Sequence, residues 1–343
     1  MKATKILMAI PAATLSLGVL SANSEASDDV YNLVFSTYLP PSYEYIHVPA
    51  ENFVNKIQER SEGRLKVDLF HSAQLFEGHD ELSALSRGDI DITNMTGTYP
   101  SASVPSIGVF ALPFMFDDIE HLSRALEAGL LESGLSEEMK EDHDTVILGV
   151  APLDPYEFYS RQHPILERED FAGKVWATTG STDAQAIQLL GGSPTGMASS
   201  ELYLAFDRGV VDATPRPLIT GLGRSLDEVV EHISLATFLV DTSILAMNRD
   251  AWERLPEDIQ EIILEAAKER DAEQFVMVEN FISEALAYYE ENGVTIHEMN
   301  ADTVAELRNL TAPVIEEWAS NVANGERYLE IIESTREGGA ESQ

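Results

Sequence analysis

The order in which hydrophobic periodicity changes along this chain is its tightest constraint on fold. Residues 31–38 have strand-like composition and stop at Pro40 and Pro41. Over 50–58, Phe53, Val54 and Ile57 recur at helical spacing, and Glu62-Gly63 ends that element. Leu65, Val67 and Leu69 alternate with Lys66 and Asp68, the pattern of a half-buried strand. A helix over 81–86 stops at Gly88, and Ile90 and Ile92 then alternate with aspartates in a further strand. This βαβαβ rhythm predicts an α/β fold with a largely parallel sheet.

A second α/β block opens near Val146. Strands are expected at 146–150 and 174–178, and a helix over 182–190 ends at Gly191-Gly192. Residues 201–208 read as a short helix before Gly209, and Val210-Val211 as a very short strand. The last hundred residues are largely helical. Pro256 suits a first helical turn, and Glu257 and Asp258 suit its positive end. Ile259, Ile262, Ile263, Ala266 and Ala267 then form an i, i+3, i+4, i+7, i+8 stripe. The pattern runs through Phe281, Ala285 and Tyr289 to Gly293, as one long helix or two joined. Asp302-Thr303 can cap another helix.

Composition narrows the partners. The 343 residues suffice for two domains with a crevice between them. A net charge of −37 repels phosphate backbones and anionic lipid, so no nucleic-acid partner is expected. Such self-repulsion weakens a compact fold unless salt screens it, which fits a salty exterior; simple solubility is the other reading. The absence of cysteine excludes disulfides, thiolate nucleophiles and cysteine metal sites.

The compartment is read from the N-terminus. Lys2 and Lys5 precede an apolar run from 6 to 20, and small residues follow through Ser27. This is the pattern of a cleavable secretory signal, expected over 1–27, with cleavage between about Ala22 and Ser27. Fifteen residues are short for a membrane span, and Pro11 weakens one further.

Chemistry is harder to find. The eight histidines are scattered, with no HExxH. There is no GxSxG elbow and no phosphate loop, and Gly221-Leu222-Gly223 lacks the third glycine of a dinucleotide fingerprint. No enzyme, cofactor or metal centre is expected. The rival from another class is a secreted small-molecule hydrolase or isomerase.

From Phe171 to Pro256 the ordered fragments become specific. Glu201-Leu202-Tyr203 and Gly209-Val210-Val211-Asp212 stand in order, preceded by Ala73-Gln74-Leu75, Gly88-Asp89-Ile90-Asp91 and Leu112-Pro113-Phe114. In these the chain resembles the solute-binding proteins of tripartite ATP-independent periplasmic (TRAP) transporters, over nearly all its length after the signal. The resemblance implies a two-domain periplasmic-binding-protein architecture with hinge strands and a long C-terminal helix. It implies a monomer in the periplasm that closes on a small molecule and delivers it to an ion-gradient-driven TRAP permease. The expected division is 28–150 plus about 240–275 as domain I, 151–239 plus about 276–336 as domain II, and 337–343 as a flexible tail.

Two departures bear on the ligand. The family arginine that forks onto a substrate carboxylate falls at Ala177, which cannot do so. The family asparagine before proline falls at Arg216, which either clamps a carboxylate or pairs with a local acid. Asp154, Asp241 and Glu44, with aromatic faces from Trp176, Tyr99, Tyr156 and Phe238, suggest an ammonium site; Asn94 is a further candidate. The reading leans to an amine or amino alcohol, ethanolamine-like, with an organic acid held by Arg216 as the alternative. If the charge is adapted to salt, Tm rises as ionic strength goes from about 0.01 M to 1 M, shrinking the Debye length from ~30 to ~3 Å. A Tm that falls over that series assigns the charge to solubility alone.

Overall fold

A computed structural model describes residues 29–336; the expected signal at 1–27 and tail at 337–343 lie outside the described residues. Among the described residues, eleven strands form two mixed sheets. The first sheet holds β1 (Tyr31–Ser36), β2 (Leu65–Phe70), β3 (Ile92–Thr96) and β4 (Thr145–Pro152), with β10 (Thr242–Asn248), in the order β2-β1-β3-β10-β4. The second holds β5 (Tyr156–Ser160), β6 (Val175–Thr178), β7 (Ser193–Gly196), β8 (Ala213–Pro217), β9 (His232–Leu239) and β11 (Thr295–Glu298), in the order β11-β9-β5-β8-β6-β7.

Each sheet is parallel except for one reversed strand. β10 runs antiparallel to β3 and β4, and β5 runs antiparallel to β8 and β9. These two are the strands that enter from the other sheet. The chain leaves β4 and reaches β5 through residues 153–155, and it returns from β9 to β10 through 240–241. Each link is too short to hold a helix and delivers its strand directly into the other sheet.

Both sheets are covered on both faces, which explains why their strands are rich in apolar residues. One face of the first sheet buries Leu33, Phe35 and Leu65 against Phe53 and Ile57 of the helix Glu44–Arg60 and Ile259 and Ile263 of the helix Glu257–Glu291. In the second sheet Phe158 and Trp176 pack on Ile187, Leu307 and Val314, while Tyr159 packs on Phe206, Ile233 and Tyr289.

Local differences from the sequence reading have local causes. The first helix is 17 residues long and begins before Pro49, which lies inside it, so a reading that starts at 50 loses its first turn. Val210 and Val211 are not a strand: the Val210 N–H bonds the Ala205 carbonyl and closes the helix Leu202–Asp207, and the strand begins at Ala213. Residues 257–291 form one helix of 35 residues. It starts against the first sheet and ends, through Ala285 and Tyr289, in the second sheet's core. The helix Gly325–Ser334, expected with the second domain, returns to the first: Tyr328, Ile331 and Ile332 pack with Leu122, Leu135 and Met139.

Three buried carboxylates sit at the crossings or beside them, Glu157 being the second residue of β5. Asp154 accepts from the Tyr45 hydroxyl on one side and from the Leu218 N–H on the other. Asp241 accepts from the Thr98 hydroxyl at 2.8 Å, the Tyr156 hydroxyl at 3.1 Å and the Thr242 N–H at 2.7 Å. Glu157 accepts the Ala236 and Thr237 N–H groups at 2.5 and 3.0 Å, where β9 bulges away from β5. Burial pushes Asp154 up to about 7, Glu157 up to about 8 and Asp241 up to about 6. Between the ordinary carboxylate range near ~4 and these values, the folded chain holds protons that the unfolded chain has released. Stability therefore falls as pH rises through this window. Tm is expected to be higher at pH 5 than at pH 8, and the difference to shrink in Asp154→Asn; a Tm that rises from pH 5 to 8 contradicts the assignment.

Candidate functional site

The lobes meet over a narrow hollow that leaves room for about one water molecule. The first lobe lines it with Tyr38, Leu39, Tyr43, Ile46, Thr96 and Tyr99. The second contributes Thr179, Ser199, Arg216, Pro217, Ile219 and Thr220, and Leu153 and Tyr156 come from the crossing. Several of these follow the carboxyl ends of strands: Thr96 ends β3, Thr179 follows β6, and Arg216 and Pro217 end β8. Open α/β sheets present their binding residues there, where the chain turns from strand to helix.

Arg216 is the one charged side chain among these lining residues, and it is 2% exposed. Its guanidinium donates to the carbonyls of Pro215 at 2.7 Å and Met197 at 3.1 Å. Among the described residues no carboxylate stands within ion-pair distance of it. Asp183 feels its charge, but burial raises that carboxyl, and its oxygens accept the N–H groups of Thr179, Gly180 and Ala184. Arg216 has five N–H donors and gives two to carbonyls, so it enters the hollow with unmet capacity.

Hydroxyls surround it. Tyr38 and Thr96 share a hydrogen bond at 3.1 Å. Tyr43 donates to Thr220 across the lobes at 3.1 Å, and the Tyr99 hydroxyl accepts the Ser199 N–H across them at 3.2 Å. Burial raises Tyr38, Tyr99 and Tyr156 above the usual phenol range, so all three stay neutral donors. Thr179 Oγ1 and Ser199 Oγ are buried without a well-formed hydrogen bond.

The residues expected at the site divide accordingly. Arg216, Tyr156 and Tyr99 come together in the hollow. Trp176 does not line it: its ring stacks on Phe171 at 4.9 Å, its indole N–H bonds the Phe171 carbonyl, and it points into the second core. Phe238 lies in the same core against Phe114 and Phe158. Glu44 is exposed on the first helix. Asn94 sits in the first lobe beside Ser243 and the buried Arg270, at 2.7 and 3.0 Å. Asp154 and Asp241 are crossing residues, and their oxygens are occupied by the donors described above. The ammonium reading rested on those carboxylates, and neither lines the hollow. Tyr38, Thr96, Thr179, Ser199 and Thr220 are polar lining residues that the sequence reading missed, along with apolar ones such as Leu39, Ile46 and Ile219; a place at or just past strand ends was the available signal.

The lobes are shut. Ser42 donates to the Gly223 carbonyl at 3.4 Å, and the Arg224 guanidinium stands 5.7 Å from the Tyr43 ring centre. A Cβ on Gly223 would lie 2.3 Å from Tyr43 Cε1, and one on Gly180 would lie 2.9 Å from the Thr98 carbonyl oxygen. Bare backbone at these two points lets the rims approach. Gly223→Ala is expected to hold the lobes apart, weakening ligand binding about tenfold or more with little change in far-UV circular dichroism. Gly196→Ala, which meets open space, is the control. Equal ligand affinity in both variants counts against this role.

Comparisons with known proteins agree with this geometry. Residues 35–321 match the family described as bacterial extracellular solute-binding protein, family 7. The sialic acid-binding periplasmic protein SiaP of Vibrio cholerae is 25% identical over 274 residues, covering 80% of this chain and 84% of that one. A TRAP periplasmic solute-binding protein from Desulfovibrio desulfuricans with bound sn-glycerol-3-phosphate superposes with a TM-score of 0.85 at 26% identity, covering 91% of this chain and 99% of that one. One from Chromohalobacter salexigens with bound D-glucuronate superposes with a TM-score of 0.84 at 23% identity, covering 89% and 100%. The chain belongs to family 7 of the bacterial extracellular solute-binding proteins, the solute receptors of TRAP transporters.

Proposed function

We propose that this receptor captures a small organic acid, with the guanidinium of Arg216 on the ligand carboxylate, and presents the closed form to a TRAP permease in the membrane. The observation that carries this reading is a buried guanidinium in the interlobe hollow with no acid of its own. A buried charge is costly until it is paired, and a ligand carboxylate offers two oxygens to a planar fork. This acid reading replaces the amine one. The hollow offers an ammonium no carboxylate, and Arg216 repels it. The relatives support the same choice: sialic acid, D-glucuronate and sn-glycerol-3-phosphate all carry an anionic group.

Export by the segment 1–27 and delivery in the periplasm fit relatives that are periplasmic. Among the described residues no helix is long and apolar enough to cross a membrane. The function requires no chemistry on the ligand. The ligand shifts the open and closed populations only by its tighter binding to the closed one, and closure excludes water from the pair with Arg216.

Calorimetry with a panel of small organic acids, and with ethanolamine, tests the proposal. Truncating one member of a buried charge pair costs about 2–5 kcal/mol, so Arg216→Ala is expected to weaken acid binding about thirtyfold or more. Arg216→Lys keeps the charge but loses the fork, and is expected to fall between. Ethanolamine binding without acid binding, or acid affinity unchanged in Arg216→Ala, overturns the reading.

A further inference from the structure

We infer that Thr179 and Ser199 complete a single-carboxylate subsite with Arg216, and that the ligand is a monocarboxylate whose far end carries no charge. The inference rests on the acid reading above and narrows its ligand class.

Thr179 Oγ1 and Ser199 Oγ are each buried and line the hollow; Thr179 Oγ1 makes no hydrogen bond in the protein, and Ser199 Oγ, beside the Tyr99 hydroxyl, makes none of good geometry. Both residues are 6% exposed. A buried hydroxyl without a partner is a standing cost of about 1–3 kcal/mol, so two in one hollow need an explanation. Each stands beside the arginine's anchorage. Ser199 lies two residues beyond Met197, whose carbonyl holds the guanidinium, and Thr179 follows β6, where the Met197 N–H bonds the Thr178 carbonyl. The donors are enough for one carboxylate. Its two oxygens offer about four acceptor positions; Arg216 has three N–H groups left and the two hydroxyls bring the donors to about five, one more than a single carboxylate needs.

The opposite wall excludes a second charge. Facing Arg216 are the rings of Tyr38, Tyr43 and Tyr99 with Leu39 and Ile46, and no cation lines the hollow on that side. A second carboxylate closed in there would be buried without a counter-ion, a penalty of several kcal/mol. Neutral matter is welcome. Tyrosine rings offer apolar faces, and the Tyr99 hydroxyl, which accepts from Ser199, keeps its own proton to donate.

The test uses the chain after signal removal. Its probes are pyroglutamate, D-erythronate and D-glucuronate as monocarboxylates, and succinate and malate as dicarboxylates. Affinities are measured by calorimetry for wild type, Thr179→Val, Ser199→Ala and Arg216→Ala. We expect the tightest ligand to be a monocarboxylate, at least about thirtyfold ahead of either dicarboxylate. We expect Thr179→Val and Ser199→Ala each to weaken it about tenfold or more, because a hydrogen bond to a charged acceptor is lost. Thr179→Ser, which keeps the hydroxyl, should recover most of the loss. The Tm of the unliganded Val and Ala variants should equal or exceed the wild-type value, since they remove unpartnered polar atoms, an outcome that a structural role would reverse. A dicarboxylate bound as tightly as any monocarboxylate, or unchanged affinity in both hydroxyl variants while Arg216→Ala still abolishes binding, overturns this inference and leaves the acid receptor standing. Binding of no acid in the panel overturns both.

Discussion

Everything in this molecule depends on how two short links pass between its sheets. Residues 153–155 and 240–241 are the strand crossings, and each carries a buried aspartate. Asp154 is held from the first helix by Tyr45 and from the second lobe by the Leu218 N–H. Asp241 gathers Thr98, Tyr156 and its neighbour Thr242. A carboxylate stripped of water is stable in such a place only when its lone pairs are filled. The donors that fill them come from separate elements, so the aspartates fix the path of the links and the place where the sheets face one another. The strand that follows each link is the one antiparallel member of the sheet it enters.

The hollow inherits its character from that arrangement. Strand ends from both sheets converge there. The second lobe brings a guanidinium tethered by backbone carbonyls, and the first brings tyrosines held by one another and by threonines. The division of labour is physical. Arg216 supplies charge in a place that closure makes dry, where charge acts strongly. The tyrosines supply area and neutral donors. The lobes touch through Tyr43 with Thr220 and through Tyr99 with Ser199 at the hollow's edge, so capturing the ligand and closing the lobes use adjoining groups.

Much of this was legible beforehand. The stripe of Ile259, Ile263, Ala266 and Ala267 gave the long helix its buried face, and the alternation at Leu65 and Val67 gave β2. Arg216, Tyr156 and Tyr99 were picked out and stand together. Trp176 and Phe238 were picked out for their aromatic faces and lie in the core, because a strand alternates sides and composition does not say which side is inside. In sequence Asp154 and Asp241 look like ligand groups, because a solitary acid beside aromatic residues resembles a cation site. Their partners, Tyr45, Leu218 and Thr98, lie 64 or more positions away along the chain. Thr179 and Ser199 carried no motif.

The sequence by itself determined the α/β alternation, the long terminal helix, the family and the arginine at position 216. These follow from periodicity and from ordered fragments, which are local properties of the chain. Only the tertiary structure decided which acids are structural and that Arg216 lines the hollow without an acid beside it. Whether a charge is satisfied depends on donors and acceptors brought from distant segments, and that pairing does not exist until the chain has crossed twice between its sheets.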